Sequence, residues 1–62
     1  MLTAREYINL VNGSPTFRQG CLDASDPGGV KPSKPWMWTD ENWGMYILGA
    51  RETKRIFGEP KL

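Results

Sequence analysis

The chain has no histidine and a single cysteine, Cys21, in 62 residues. One thiol cannot build an internal disulfide framework. Without histidine the usual nitrogen–sulfur zinc site lacks ligands, so no metal and no cofactor is expected. The commonest general base is missing, and a serine or cysteine nucleophile would need activation by lysine or a carboxylate. Neither sign of charge is in excess, because eight Lys/Arg against seven Asp/Glu leave +1. Recognition of nucleic acid through phosphate neutralisation normally shows a basic surplus. Together these shortages point away from an enzyme.

Long apolar runs are lacking too. Arg5 and Glu6 stand where a signal peptide needs an apolar stretch. The longest uncharged apolar-rich segment, Asn42 to Ala50, falls far short of the ~20 residues that span a bilayer. The expectation is a cytoplasmic protein with no membrane segment, in a compartment that tolerates an unpaired thiol. A chain this short buries only ~60% of its unfolded surface. With 39% apolar residues it makes one small domain over residues 1–62, whose core supplies about 3–5 kcal/mol. That core stands unaided or is completed by another chain.

What is present begins with a helix. Thr3-Ala4-Arg5-Glu6 is a capping box, and Ala4, Tyr7, Ile8 and Val11 make an i, i+3, i+4, i+7 stripe. Leu2 is placed to staple onto the first turn. Asn12-Gly13 accepts the left-handed conformation that often ends a helix, giving a first helix from Thr3 to about Asn12. Ser14-Pro15 reads as N-cap and first helical residue of a second, running to about Asp23 with Phe17 and Cys21 on one face and Leu22 beside them. Gly20 weakens it by ~1 kcal/mol relative to alanine. Cys21 reads as a small hydrophobe on the inner face.

From Ala24 to Pro35 the composition excludes a regular element. Asp26-Pro27-Gly28-Gly29 is a turn signal, and Lys31-Pro32-Ser33-Lys34-Pro35 is extended chain. Gly28-Gly29 neither follows a strand nor opens a helix, so it lacks the setting of a phosphate loop. Pro32-x-x-Pro35 has the minimal form of a proline-module ligand, a pattern common by chance. Asp23 and Asp26 suit turn roles, and Asp40 and Glu41 suit the start of a helix.

Two readings compete for the remainder. Thr39 caps a long helix to Phe57, with Asp40 and Glu41 at its positive end and Arg51, Lys54 and Arg55 at its negative end. Trp43, Tyr46, Ile47, Ala50 and Phe57 then share a face, and Gly58 follows. Alternatively Trp36–Trp38 and Met45–Leu48 pair as a hairpin, favoured by aromatic and β-branched content, within an α+β arrangement. The charge placement and the cap favour the long helix. The fold expected is a mainly α domain of two short N-terminal helices, a long Pro/Gly/Trp-rich loop and a C-terminal helix, with a frayed tail at 59–62.

Trp36, Trp38 and Trp43 lie close together in sequence. Either they form the core, with 35–38 folded over the first helix as a lid, or at least one is an exposed anchor for a partner, as tryptophan often is at binding hot spots. If the chain is extended, Trp36 and Trp38 share a face and Met37 takes the other. One small core cannot easily hide them all. The function expected is therefore that of a small non-enzymatic interaction protein: an adaptor, inhibitor or assembly component of the kind common in phage and other compact genomes. It would bind another protein, or itself, through Trp36, Met37, Trp38, Trp43 and Tyr46. The alternative is a small DNA-binding regulator, of helix-turn-helix or winged-helix type, using Arg18 or the cluster Arg51, Lys54 and Arg55 with Lys61. Its presumed recognition helix would carry only Arg18 as positive charge.

Overall fold

A computed structural model describes residues 2–58. Three helices follow one another: α1 (Ala4–Gly13), α2 (Pro15–Ala24) and α3 (Asp40–Phe57). The domain is mainly α, and among the described residues no strand forms, so the hairpin alternative is set aside. Residues 59–62, expected to fray, and Lys61 with them, lie outside the described residues.

Local chemistry accounts for each boundary. At α1 the Thr3 hydroxyl accepts from the Glu6 amide at 3.2 Å, and the Glu6 carboxylate accepts from the Thr3 amide at 2.9 Å. The left-handed ending expected at Asn12-Gly13 does not occur, for Gly13 stays helical and, among the described residues, only Gly29 and Gly58 have positive φ. Ser14 explains why. Its amide donates to the Leu10 carbonyl at 2.8 Å, closing α1, while its hydroxyl accepts from the Phe17 amide at 3.2 Å, opening α2. One extended residue thus ends one helix and caps the next, and Pro15 follows at the first turn.

Thr39 caps α3 by accepting from the Asn42 amide at 3.1 Å. Asp40 and Glu41 occupy its first turn and Lys54 and Arg55 its last, as the dipole favours. Gly58, at φ 73°, returns its amide to the Lys54 carbonyl at 2.7 Å. Strand propensity in 45–48 is outweighed because a helix there, and not a strand, places Tyr46, Gly49 and Ala50 together against α2.

The α2–α3 contact is the core of the molecule. Phe17 and Tyr46 are fully buried, with Cys21 and Ala50 nearly so. The backbones meet directly at two glycines. A Cβ on Gly20 would lie 2.0 Å from the Tyr46 carbonyl oxygen, and one on Gly49 would lie 2.3 Å from that of Phe17. Between them the Cys21 thiol donates to the Gly49 carbonyl at 3.6 Å. α1 rests more lightly on this pair. Tyr7 sets its ring edge-on to Phe17, centroids 5.6 Å apart, and its hydroxyl hydrogen-bonds to Thr53 at 2.7 Å.

The shortest dimension of the domain is 16 Å, enough for two helices packed at ~8–10 Å between axes. A body so thin covers few large side chains on all sides. Leu22 and Ile8 are exposed, and Phe57, expected on the buried stripe, is 73% exposed. The reason lies in length: α3 has 18 residues and α2 only 10, so the last turn of α3 finds Tyr7 and Leu2 beside it instead. Leu2 contributes through its backbone, donating to Glu52 at 3.4 Å and accepting from Arg55 at 2.9 Å.

Candidate functional site

The loop 25–39 carries Trp36 and Trp38 to the start of α3, which holds Trp43, and includes a turn at 35–38. The Trp38 amide donates to the Pro35 carbonyl at 3.0 Å, which puts Trp36 and Met37 at the two corners of a β-turn. Trp36 is 89% exposed and Met37 68%. The segment is not extended, so Trp36 and Trp38 do not share a face. The turn sends the first outward and the second inward. Nor does the segment close over α1. Trp38 packs edge-on against Trp43 (6.2 Å, 66°) and Tyr46 (5.4 Å, 83°), while Trp43 stacks on Tyr46 at 5.3 Å.

Of the five residues expected to meet a partner, the structure therefore presents two. Trp38 and Trp43 are partly covered and support the turn from beneath, and Tyr46 is fully buried and cannot touch a partner. Its burial gives it another task. The Tyr46 hydroxyl donates to the Asp23 carboxylate and accepts from the Lys31 amide at 2.9 Å. Asp23 also accepts from Gln19 at 2.8 Å, and the Lys31 ammonium lies 4.0 Å from it. That ammonium sits 5.9 Å from the Trp38 ring and 5.8 Å from the Tyr46 ring. Beside the turn, Lys34 pairs with Asp40 at 2.5 Å.

The electrostatics follow from these contacts. Hydrogen bonds from Tyr46 and then Gln19, with the Lys31 charge, hold the Asp23 carboxyl below its ordinary range. Burial, and then the bond to Asp23, pushes Tyr46 up. Glu52, 5% exposed, is held down chiefly by the Arg55 hydrogen bond and further by the Leu2 amide. A carboxylate with a lowered folded pKa contributes stability that is present above its unfolded value, ~3.9 for aspartate, and lost as pH falls through the folded value. A tyrosine with a raised pKa contributes stability present below ~10 and lost as pH rises through the folded value. Urea midpoints measured against pH are therefore expected to be flat near neutrality, falling in acid below about pH 4 and in alkali above about pH 10. Asp23→Asn should flatten the acid limb. A midpoint unchanged from neutrality into that acid range would contradict this assignment.

The residues of the nucleic-acid alternative are dispersed in their roles. Arg18 donates to the Val11 carbonyl at 3.0 Å, satisfying the end of α1. Arg55 is held by Glu52 at 2.7 Å and by the Leu2 carbonyl. Arg51 and Lys54 are exposed on α3. Among the described residues there is no surface pocket and no cluster of three potential metal ligands, and no helix is long and apolar enough to cross a membrane. Comparison with known proteins adds nothing further, since no family model, curated protein or solved structure matches the chain.

By local sequence Asp23 belongs to a turn and Lys31 to an extended segment, yet both close on one hydroxyl. No local spacing reveals such a meeting, because it depends on the docking of α2 on α3. The glycine pair did leave a trace. Gly20-Cys21 and Gly49-Ala50 are small residues within otherwise well-capped helices, where a mid-helix glycine usually has a packing reason.

Proposed function

We propose that the protein is a small non-enzymatic interaction protein that binds another protein through the exposed Trp36/Met37 turn. The carrying observation is the 89% exposure of Trp36 at the corner of a hydrogen-bonded turn whose far side is seated on an aromatic cluster. A large apolar side chain held out on an ordered support gives up little conformational freedom on binding. Tryptophan is also enriched among the few residues that dominate protein interfaces, and methionine adapts to irregular apolar surfaces. A cytoplasmic setting belongs to the same reading, resting on the single thiol.

The test compares the full chain with Trp36→Ala as bait, each verified as folded by circular dichroism. A specific protein retained by the parent as salt rises from about 0.1 to about 1 M, and lost with Trp36→Ala, is the expected result. Retention of the same protein by the variant would overturn the reading. So would binding of nucleic acid alone, released by salt and weakened by Arg51→Ala with Lys54→Ala, the outcome that the regulator alternative requires.

A further inference from the structure

The loop that presents Trp36 and Met37 is tied to the helices at both of its feet by one residue. At the first foot, the Lys31 amide donates to the Tyr46 hydroxyl at 2.9 Å. At the second, the Trp38 ring abuts the Tyr46 ring edge-on at 5.4 Å. Between the feet, Pro32 and Pro35 each fix φ near −65°, so an anchor at Lys31 constrains the path of the chain up to the turn. The Lys31 side chain reinforces the arrangement by lying near both rings while approaching Asp23.

The hydroxyl itself does not stand alone. It donates to Asp23 on α2, and Asp23 is oriented by Gln19 one helical turn earlier. A hydroxyl whose proton is committed to a carboxylate offers its oxygen lone pairs to the Lys31 amide, and hydrogen bonds linked in this way polarise one another. Asp23 thus acts on the loop through Tyr46.

We propose that Tyr46 and Asp23 form a latch that holds the Trp36/Met37 turn in its presented geometry, with Tyr46 gripping both feet of the loop and Asp23 fixing the hydroxyl that grips the first. Both are positioning residues. The proposal deepens the protein-binding reading by stating what orders the binding turn, but its test needs no partner.

Amide hydrogen exchange of the full chain, resolved by NMR, supplies that test through Tyr46→Phe, which keeps the ring and deletes the hydroxyl. The Lys31 and Trp38 amides are expected to exchange at least about tenfold faster relative to the Ala50 amide of α3, which serves as the internal reference for domain opening. Asp23→Asn, which keeps an acceptor but removes the charge, is the second variant should the first fail to fold. It is expected to speed the Lys31 amide by a smaller factor relative to the same Ala50 reference. Loop and helix amides accelerating together by one factor would overturn the latch, making the hydroxyl an ordinary core contact. Unchanged Lys31 and Trp38 exchange in a folded variant would overturn it as well. Failure of the latch leaves the Trp36→Ala binding result standing, and failure of that result leaves the exchange result standing.

Discussion

Gly20→Ala and Gly49→Ala are each expected to abolish cooperative thermal unfolding, while Gly44→Ala raises the midpoint. Helix propensity alone gives all three substitutions the same sign, a gain of about 1 kcal/mol. The opposite outcome at two positions comes from what the new methyl meets. At Gly20 it would lie 2.0 Å from the Tyr46 carbonyl oxygen and 3.1 Å from the Ala50 nitrogen, and at Gly49 it would lie 2.3 Å from the Phe17 carbonyl oxygen. These are backbone atoms of the opposing helix, which cannot swing aside as a side-chain tip does. The helices must separate, uncovering Phe17 and Tyr46, the two fully buried large side chains. Overpacking a core costs about 1–3 kcal/mol and occasionally more, and a chain of this length has only ~3–9 kcal/mol in total. Gly44 has nothing within 4 Å of its would-be Cβ and no positive φ, so there the propensity gain survives. Circular dichroism melts of the three variants decide the matter. A Gly20→Ala or Gly49→Ala protein melting at or above the parent would show that α2 and α3 are not in backbone contact.

The same glycines mark where sequence reading works and where it stops. Capping and charge placement are local properties, so Thr3-Ala4-Arg5-Glu6, Ser14-Pro15 and Thr39 with Asp40 and Glu41 announce three helices whose observed limits lie within a residue or two of those expected. Propensity is local as well, but it charges Gly20 only as a weak helix former, whereas its worth comes from a neighbour 26 positions away in the Gly20–Tyr46 contact. The tryptophans divide on similar lines. The arithmetic of a small core favours exposure of at least one of them but leaves the all-core reading open. Which one follows from a turn at 35–38 whose closing hydrogen bond is set by how Trp38 docks on Tyr46. The Asp23–Tyr46–Lys31 meeting was illegible for the same reason, since each residue has a sufficient local explanation until the helices are docked.

Trp38→Ala is expected to lower stability by about 2–3 kcal/mol, short of the ~3–5 kcal/mol for a fully buried aromatic because the side chain is only partly covered. Trp36→Ala, two residues earlier at an exposed corner of the turn, should lie within about 0.5 kcal/mol of the parent. The difference rests on what each indole touches. Removing Trp38 deletes edge contacts to Trp43 and Tyr46, each worth about 0.5–1.5 kcal/mol beyond area burial, and the approach of the Lys31 ammonium to its ring. It also uncovers part of the Tyr46 ring, against which the loop is seated. Removing Trp36 deletes a side chain that is 89% exposed and leaves the Trp38 to Pro35 hydrogen bond intact. Urea unfolding followed by far-ultraviolet circular dichroism compares the two without relying on the fluorescence that the substitutions alter. Acrylamide quenching supplies the complementary reading, since most of the readily quenched emission should vanish with Trp36→Ala. Equal destabilisation by the two variants would mean that Trp36 is packed in solution, and with it the case for an outward-facing binding turn would fall. A stable Trp36→Ala protein beside a weakened Trp38→Ala protein separates the residue that meets the partner from the residue that holds it out.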